Sequence, residues 1–186
     1  GWDLALAHAR ELGGKLPLSR LLADAIDYAI RGVPVSASLH RAITAKHDEL
    51  AHQPGFAEVF LPGGRAPTVG DRLIQPRLAA ALHHLSDVGL DAFYRGDLAH
   101  SIAADLERLG SPLALSDLIV HRARWRAPLM LAHRRGTVYN LPPPTQGLVS
   151  LLILGQLDAL GIDGLAHDDA RFVHLAVEAT KQAFAI

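Results

Sequence analysis

Apolar residues recur at helical spacing along most of the chain. Leu18, Leu21, Leu22, Ala25, Ile26 and Ala29 fall on one stripe, and Pro17 suits a first helical turn. Gly32, followed by Pro34, then ends that run. A weaker stripe of Leu4, Ala5, Ala7, Ala9 and Leu12 predicts a short helix over 3–12 that stops at Gly13-Gly14. Ser36 or Ser38 is placed to cap a third helix reaching about His52, before Pro54-Gly55. The stretch "FLPGGRAPTVGDRLIQP" holds three prolines and three glycines and reads as an irregular excursion. Two more helices are expected at about 76–88 and 97–109, with Phe93 and Tyr94 packing a turn between them. Ser116 is placed to cap a short segment after Leu115.

The period then changes from helical to two. In "HRARWRAPLML" the positions Ala123, Trp125, Ala127, Leu129 and Leu131 are apolar, while Arg122, Arg124 and Arg126 alternate with them. This predicts a strand with one buried face, "HRRG" as a turn, and "TVYNL" as the returning strand of a β-hairpin. Pro142, Pro143 and Pro144 follow, expected to hold the chain extended. Thr145 is a natural N-cap, with Gln146 and Gly147 in the first turn of a helix that is apolar on nearly every side and runs to about Leu160. A last helix is expected over 168–184. The fold class implied is α+β: a predominantly helical chain with one β-hairpin. Its helical region covers about 1–120, the hairpin and proline corner about 121–147, and the C-terminal helices about 145–186, with no internal repeat or low-complexity linker.

Composition narrows the functional classes. An apolar fraction of 49% with 20% charged residues is that of a globular chain able to bury a core. The net charge of −1 supplies no overall field to draw nucleic acid or anionic membrane. No cysteine is present, which excludes thiol catalysis, disulfides and cysteine metal sites but leaves the redox compartment open, periplasmic, extracellular or cytoplasmic. No apolar run approaches the ~20 residues of a membrane-spanning helix.

Candidate chemistry is sparse. No two of the eleven histidines sit three or four residues apart, the spacing at which one helix offers two ligands to a metal ion. Scattered surface histidines are therefore the preferred reading, with no metal site. Arg122, Arg124 and Arg126, together with Arg134 and Arg135, suggest a phosphate surface, against the plainer reading of a solvated face or of arginines paired with acids on a neighbouring element. There is no P-loop and no G-x-S-x-G elbow. Asp24/Asp27 and Asp168/Asp169 read as helix-face or helix-start residues. At the corner, the side-chain-free Gly147 admits close approach of a backbone or a ligand, and amides at the helix start are able to hold an anion. The alternative is a rigid strand-to-helix connector.

Taken in order, the segments "GWDLAL", "LPLSRLLADAIDYAIRGVPVS", "FYRGDLAHSIAADL", "LALSDLIVHRARWRAPLML", "TVYNLPPPTQGL" and "HLAVEATKQAFA" resemble the large-subunit part of the gamma-glutamyltranspeptidase family. The strand–Pro-Pro-Pro–helix corner and the final helix with His174-x3-Glu178 carry the resemblance most specifically. It implies a piece of an N-terminal-nucleophile hydrolase, an αββα sandwich whose precursor cleaves itself to expose a threonine at the start of the small subunit. That threonine attacks an amide with its own α-amine as base, and backbone donors hold the oxyanion. The acyl group passes to water, an amino acid or a peptide, without metal or organic cofactor.

By the same comparison, the chain is expected to be an internal fragment and inactive alone. The arginine that grips the substrate α-carboxylate would lie upstream and the nucleophilic threonine downstream, leaving no catalytic residue among 1–186. The implied partners are the remainder of the precursor, above all its Thr-bearing small subunit, and a small gamma-glutamyl or other amide substrate. Self-association of the uncovered piece is also expected. Well-known transpeptidases read Pro-Pro-Pro-Ser-Ser-Gly-Gly where this chain reads "PPPTQGL". Thr145, Gln146 and Gly147 are therefore the near-site candidates. The reaction expected first is cleavage of gamma-glutamyl amides such as glutathione, and the alternative is the chemistry of related small-amide hydrolases, of the oxamate amidohydrolase or cephalosporin acylase type. A non-enzymatic helical ligand-binding or interaction module remains the reading from another class.

Overall fold

The computed structural model describes residues 1–185 and divides at Ala123/Arg124 into two compact units. The first unit is helical apart from one two-residue ladder. Its elements are α1 (Trp2–Glu11), α2 (Leu18–Arg31), β1 (Val33–Pro34), α3 (Ala37–Ala45), α4 (His47–Leu50), α5 (Phe56–Phe60), a 3-10 turn (Pro62–Gly64), β2 (Arg72–Leu73), α6 (Pro76–Val88), α7 (Ala92–Arg95), α8 (Asp97–Arg108) and α9 (Leu115–Val120).

The stripe read in the sequence is the face that α2 buries. Leu22 and Ile26 meet Leu85 of α6, and Leu18, Leu82, Leu90, Ala92 and Leu98 close around them. The helix stops where expected: Gly32 takes φ +79° and donates its N–H to Tyr28 O at 2.9 Å. A Cβ at Gly32 would also lie 2.9 Å from Ile74 Cγ1, so glycine is required both by conformation and by space.

The ladder β1–β2 was not foreseen in the irregular stretch. It pairs Val33 with Leu73 and Pro34 with Arg72, antiparallel, and buries Val35 almost completely. Two residues a side carry too little periodicity to be read, and the pairing is held instead by contacts distant in sequence. Val35 donates to Asp71 O at 2.8 Å and Arg72 Nη1 to Gly32 O at 2.9 Å. Asp71 itself accepts Thr68 N–H at 2.8 Å, which lowers its pKa.

Ser36 caps α3 by accepting Leu39 N–H at 3.1 Å, but the helix expected to reach His52 breaks at Lys46 into α3 and α4. The cap expected at Ser116 is also corrected, because Ser116 lies inside α9. Asp117 in the first turn does that work, its carboxylate accepting Ala114 N–H at 2.8 Å.

The second unit holds β3 (Leu129–His133), β4 (Gly136–Asn140), α10 (Gly147–Ala159), a 3-10 turn (Ile162–Gly164) and α11 (Ala170–Phe184). The hairpin is antiparallel in the register Leu129↔Asn140 to His133↔Gly136. Leu129, Leu131, His133, Val138 and Asn140 are half-buried on one face, while Met130, Ala132, Thr137 and Tyr139 are exposed on the other. α10 packs on both strands and α11 on α10. Gly155 of α10 lies over Leu131, and a Cβ there would sit 3.4 Å from Leu131 Cδ1, an ordinary van der Waals contact. Asp169, not Asp168, caps α11 through Arg171 N–H at 2.7 Å.

Two expectations are corrected in this unit. The period-two stretch from 121 does not begin a strand; pairing starts at Leu129, and residues 121–128 are exposed and carry no ladder. Alternation supplies the faces of a strand but not its partner, and β4 ends opposite Leu129 where the chain leaves for the prolines. The helix α10, apolar on nearly every side, buries only Gly147 and Leu151 fully, and Leu148 and Leu154 remain exposed. Among the described residues its main cover is the β3–β4 hairpin and α11, with the 3-10 turn Ile162–Gly164 beside them. No described helix is long and apolar enough to cross a membrane.

Candidate functional site

The proline corner joins the end of β4 to the start of α10. Its chain does not stay extended. The Pro143–Pro144 peptide is cis, and Thr145 N–H turns back to Pro142 O at 3.3 Å. Three prolines fix φ and leave only their carbonyls for bonding, so the corner depends on the polar residues at its two ends.

Thr145 supplies one end. Its hydroxyl has one proton to share between Leu141 O and Pro142 O, each at 3.1 Å, and accepts Gly147 N–H at 3.3 Å. Asn140 supplies the other, its Oδ1 accepting Leu141 N–H at 2.8 Å. The N-cap is therefore Gln146, not Thr145, and Gly147 is the first residue of α10. Gln146 O starts the helix by accepting both Ser150 N–H at 3.1 Å and Ser150 Oγ–H at 3.2 Å.

Gly147 is buried, and the close approach expected of it is made by the protein's own backbone. A Cβ there would stand 2.1 Å from Leu141 O and 2.8 Å from Asn140 Oδ1. Of the three near-site candidates, Thr145 and Gly147 are thus spent on holding the corner, and the Gly147 amide is already satisfied. Gln146 is exposed and makes no capping hydrogen bond with its side chain. Its carboxamide is therefore not spent on the helix cap.

At the opposite end of α10 lies a charged cluster that sequence reading only half found. Arg134, in the hairpin turn, gives Nε to Asp158 Oδ1 and Nη2 to Asp158 O, and its Nη1 reaches Asp163 Oδ2 at 2.6 Å. Arg135 Nη2 reaches the other oxygen of Asp163 at 3.2 Å. The hydrogen bond from Arg134 holds the Asp158 carboxyl below the usual carboxylate range, and the same bond raises the guanidinium. For this pair of arginines the plainer reading was right: they pair with acids on neighbouring elements. Adjacent arginines in a tight turn signalled a need for acids, but nothing local singled out Asp158 and Asp163, which lie 24 and more residues away. Asn140 was likewise missed, because a strand-end asparagine carries no periodic signal.

In the first unit, Arg122 Nη1 is bound to His121 O at 2.8 Å, and Asp24 and Asp27 pair with Arg20 and Arg31 along α2. Arg95 holds Asp91 and reaches Ile119 O and His121 O, and Asp91 is lowered in pKa chiefly by that bond. An open groove of about 830 Å³ runs past Leu78, Leu82, Leu85, Phe93 and Leu98. It is mostly apolar, and of the charged residues on its lining Asp91 and Arg95 are already paired with each other. Among the described residues no three histidines or carboxylates gather closely enough to hold a metal ion.

Comparison with known proteins follows the same segments. The pattern of gamma-glutamyltranspeptidase matches residues 3–186. An oxamate amidohydrolase proenzyme of Klebsiella pneumoniae is 54% identical over the whole chain, which covers 35% of that protein. A glutathione hydrolase-like proenzyme of Bacillus subtilis is 37% identical over 98% of the chain and 34% of its own length. The gamma-glutamyltranspeptidase of Helicobacter pylori superposes with a TM-score of 0.86 at 25% identity, covering 92% of this chain and 50% of that one. The chain thus spans about a third of the length of the curated relatives it matches. It belongs to the gamma-glutamyltranspeptidase family.

Proposed function

We propose that the chain is part of the large subunit of a self-processing amide hydrolase whose substrate is a small amide carrying a carboxylate, of the oxamate kind. The observation that carries this reading is the 54% identity, over all of the chain, to an oxamate amidohydrolase proenzyme, against 37% to a glutathione hydrolase-like one. The family resemblance supplies the chemistry. A threonine outside these residues, freed by cleavage of the precursor, attacks the amide carbonyl with its α-amine taking the hydroxyl proton. Backbone N–H groups stabilise the oxyanion, ammonia or an amine leaves, and water releases the acid. No residue of 1–186 takes a catalytic role in this scheme. The chain's contribution is scaffold and, at the corner, substrate contact.

Within the corner the contact falls to Gln146. Its carboxamide can both donate to a carboxylate and accept from an amide, while Thr145 and Gly147 hold it in place. The partner implied is the remainder of the same precursor, including the Thr-bearing small subunit, and the piece alone is expected to be inactive and to self-associate through its uncovered apolar faces.

The second reading keeps the scaffold and changes the acyl group: hydrolysis or transfer of gamma-glutamyl amides such as glutathione. The family match and the 37% identical relative favour it. One experiment separates the two. The full-length precursor is expressed and allowed to process, its smaller product is sequenced for an N-terminal threonine, and hydrolysis of oxamate is compared with that of gamma-glutamyl-p-nitroanilide. Processing with ammonia release from oxamate supports the first reading, and turnover of the anilide alone supports the second. A precursor that stays uncut and turns over neither leaves the non-enzymatic helical module as the better account.

A further inference from the structure

His133 closes β3 just before the Arg134-Arg135 turn, and its two ring nitrogens face different partners. Nδ1 lies 3.1 Å from the backbone N–H of Arg135, which has only a donor to offer. Nδ1 must therefore be the unprotonated acceptor, and in the neutral ring the proton sits on Nε2. Nε2 lies 3.4 Å from Asp158 Oδ1 on α10, so the same ring closes the turn on one side and faces the helix on the other. The side chain is well covered, 17% exposed, so water does not readily replace either partner.

The charges around the ring are already balanced. Asp158 reaches it from α10, Arg134 and Arg135 from its own turn, and Asp163 from the following 3-10 turn only through the arginines. Two cations meet two anions, and Asp158 is engaged by Arg134 before any charge on the histidine is considered. A proton added to the ring brings a third cation into a set that needs none. It must also enter at Nδ1, where it meets the Arg135 N–H donor head on.

We propose that His133 is a pH-sensitive latch on the hairpin turn. With the ring neutral, Nδ1 accepts Arg135 N–H and the turn is closed. When Nδ1 takes a proton from solvent, that acceptor is lost, the Arg135 amide must turn to water, and the ring stays attached only through Nε2–H and Asp158. Histidine is the side chain whose charge ordinarily changes between about pH 5 and 8, which sets the two pH values at which the turn is compared.

The test uses the full chain and reads the turn directly. Amide hydrogen exchange at Arg135, corrected for the intrinsic effect of pH, is measured at pH 8 and pH 5 in wild type and in His133→Asn. Asparagine offers an oxygen near the place of Nδ1 and does not titrate. Protection at Arg135 is expected to fall by about fivefold in wild type, the scale of one lost hydrogen bond, and to stay level in the variant. Equal protection at both pH values in wild type, or the same fall in the variant, overturns the proposal. Should the variant not fold, imidazole nitrogen chemical shifts in wild type decide: the Nε2–H tautomer at pH 8 supports the latch, and the Nδ1–H tautomer overturns it.

Discussion

Gly147 and the carbonyl of Leu141 are in such close contact that no Cβ fits between them: one built on Gly147 would stand 2.1 Å from the oxygen. The obstacle is backbone on one side and the first turn of α10 on the other, so neither can swing away as a side chain would. Gly147→Ala is expected to cost about 3 kcal/mol, at the upper end for overpacking, because the helix start must lift off the strand end. Urea unfolding measures it. A midpoint within about 0.5 kcal/mol of wild type would falsify the claim that the two backbones are pressed together in solution.

Thr145 and Gln146 are neighbours with opposite expected behaviour. The Thr145 hydroxyl serves two carbonyls and one amide, so Thr145→Val should cost about 1–2 kcal/mol while Thr145→Ser keeps nearly all stability. Gln146 makes no capping bond with its side chain, so Gln146→Ala should leave the unfolding midpoint within about 0.5 kcal/mol of wild type. In the processed enzyme it should instead lower kcat/KM for the carboxylate-bearing amide by about tenfold, the value of one hydrogen bond to a charged group. Stability loss at Gln146 with unchanged kinetics would reverse these roles.

What could be read in the sequence was set by how local its cause was. The α2 stripe, its stop at Gly32 and the span of α6 all depend on residues within a few turns, and they stand where expected. The corner was recognisable as a marker of the family because three prolines after a strand are a rare string. The division of labour inside it was not, since the choice of Gln146 over Thr145 as N-cap follows from where Thr145's hydroxyl finds Leu141 O. The β1–β2 ladder and the Arg134–Asp158 pair join residues 24 to 40 positions apart, and periodicity is silent about such partners. The overlong strand from 121 failed for the same reason: alternation was present and a partner strand was not.

Ile26 sits at the centre of the first unit, 7% exposed between Leu22 and Leu85. Ile26→Ala removes the side chain from a cluster centred on α2 and α6 and closed by residues of α7 and α8, which can collapse only in part. The expected cost is about 2–4 kcal/mol, and it should be read by probes in residues 1–123. Exchange protection along α2 and α6 should fall together, since they share this contact. A fall confined to α2 would show that α6 does not depend on it.

The pair Arg134–Asp158 makes a signed statement about pH. The bond from Arg134 lowers the Asp158 carboxyl below its ordinary value in the folded chain, so the unfolded chain binds that proton more readily. The stability contributed is therefore fully present above the ordinary carboxylate range, about pH 4, and is lost as the pH falls through the lower folded value. Asp158→Asn removes the charge and leaves Arg134 with a weaker acceptor. The variant should be less stable than wild type at pH 7, with the gap narrowing as the pH drops towards 2, because acid removes from wild type what the substitution has already removed. Denaturant midpoints of both proteins at pH 7, 5, 4 and 3 measure this, in low salt so that the partly exposed pair is not screened. Midpoints that fall in parallel across the series would mean that the acid sensitivity of this unit arises elsewhere, and that the bond between the hairpin turn and α10 contributes little.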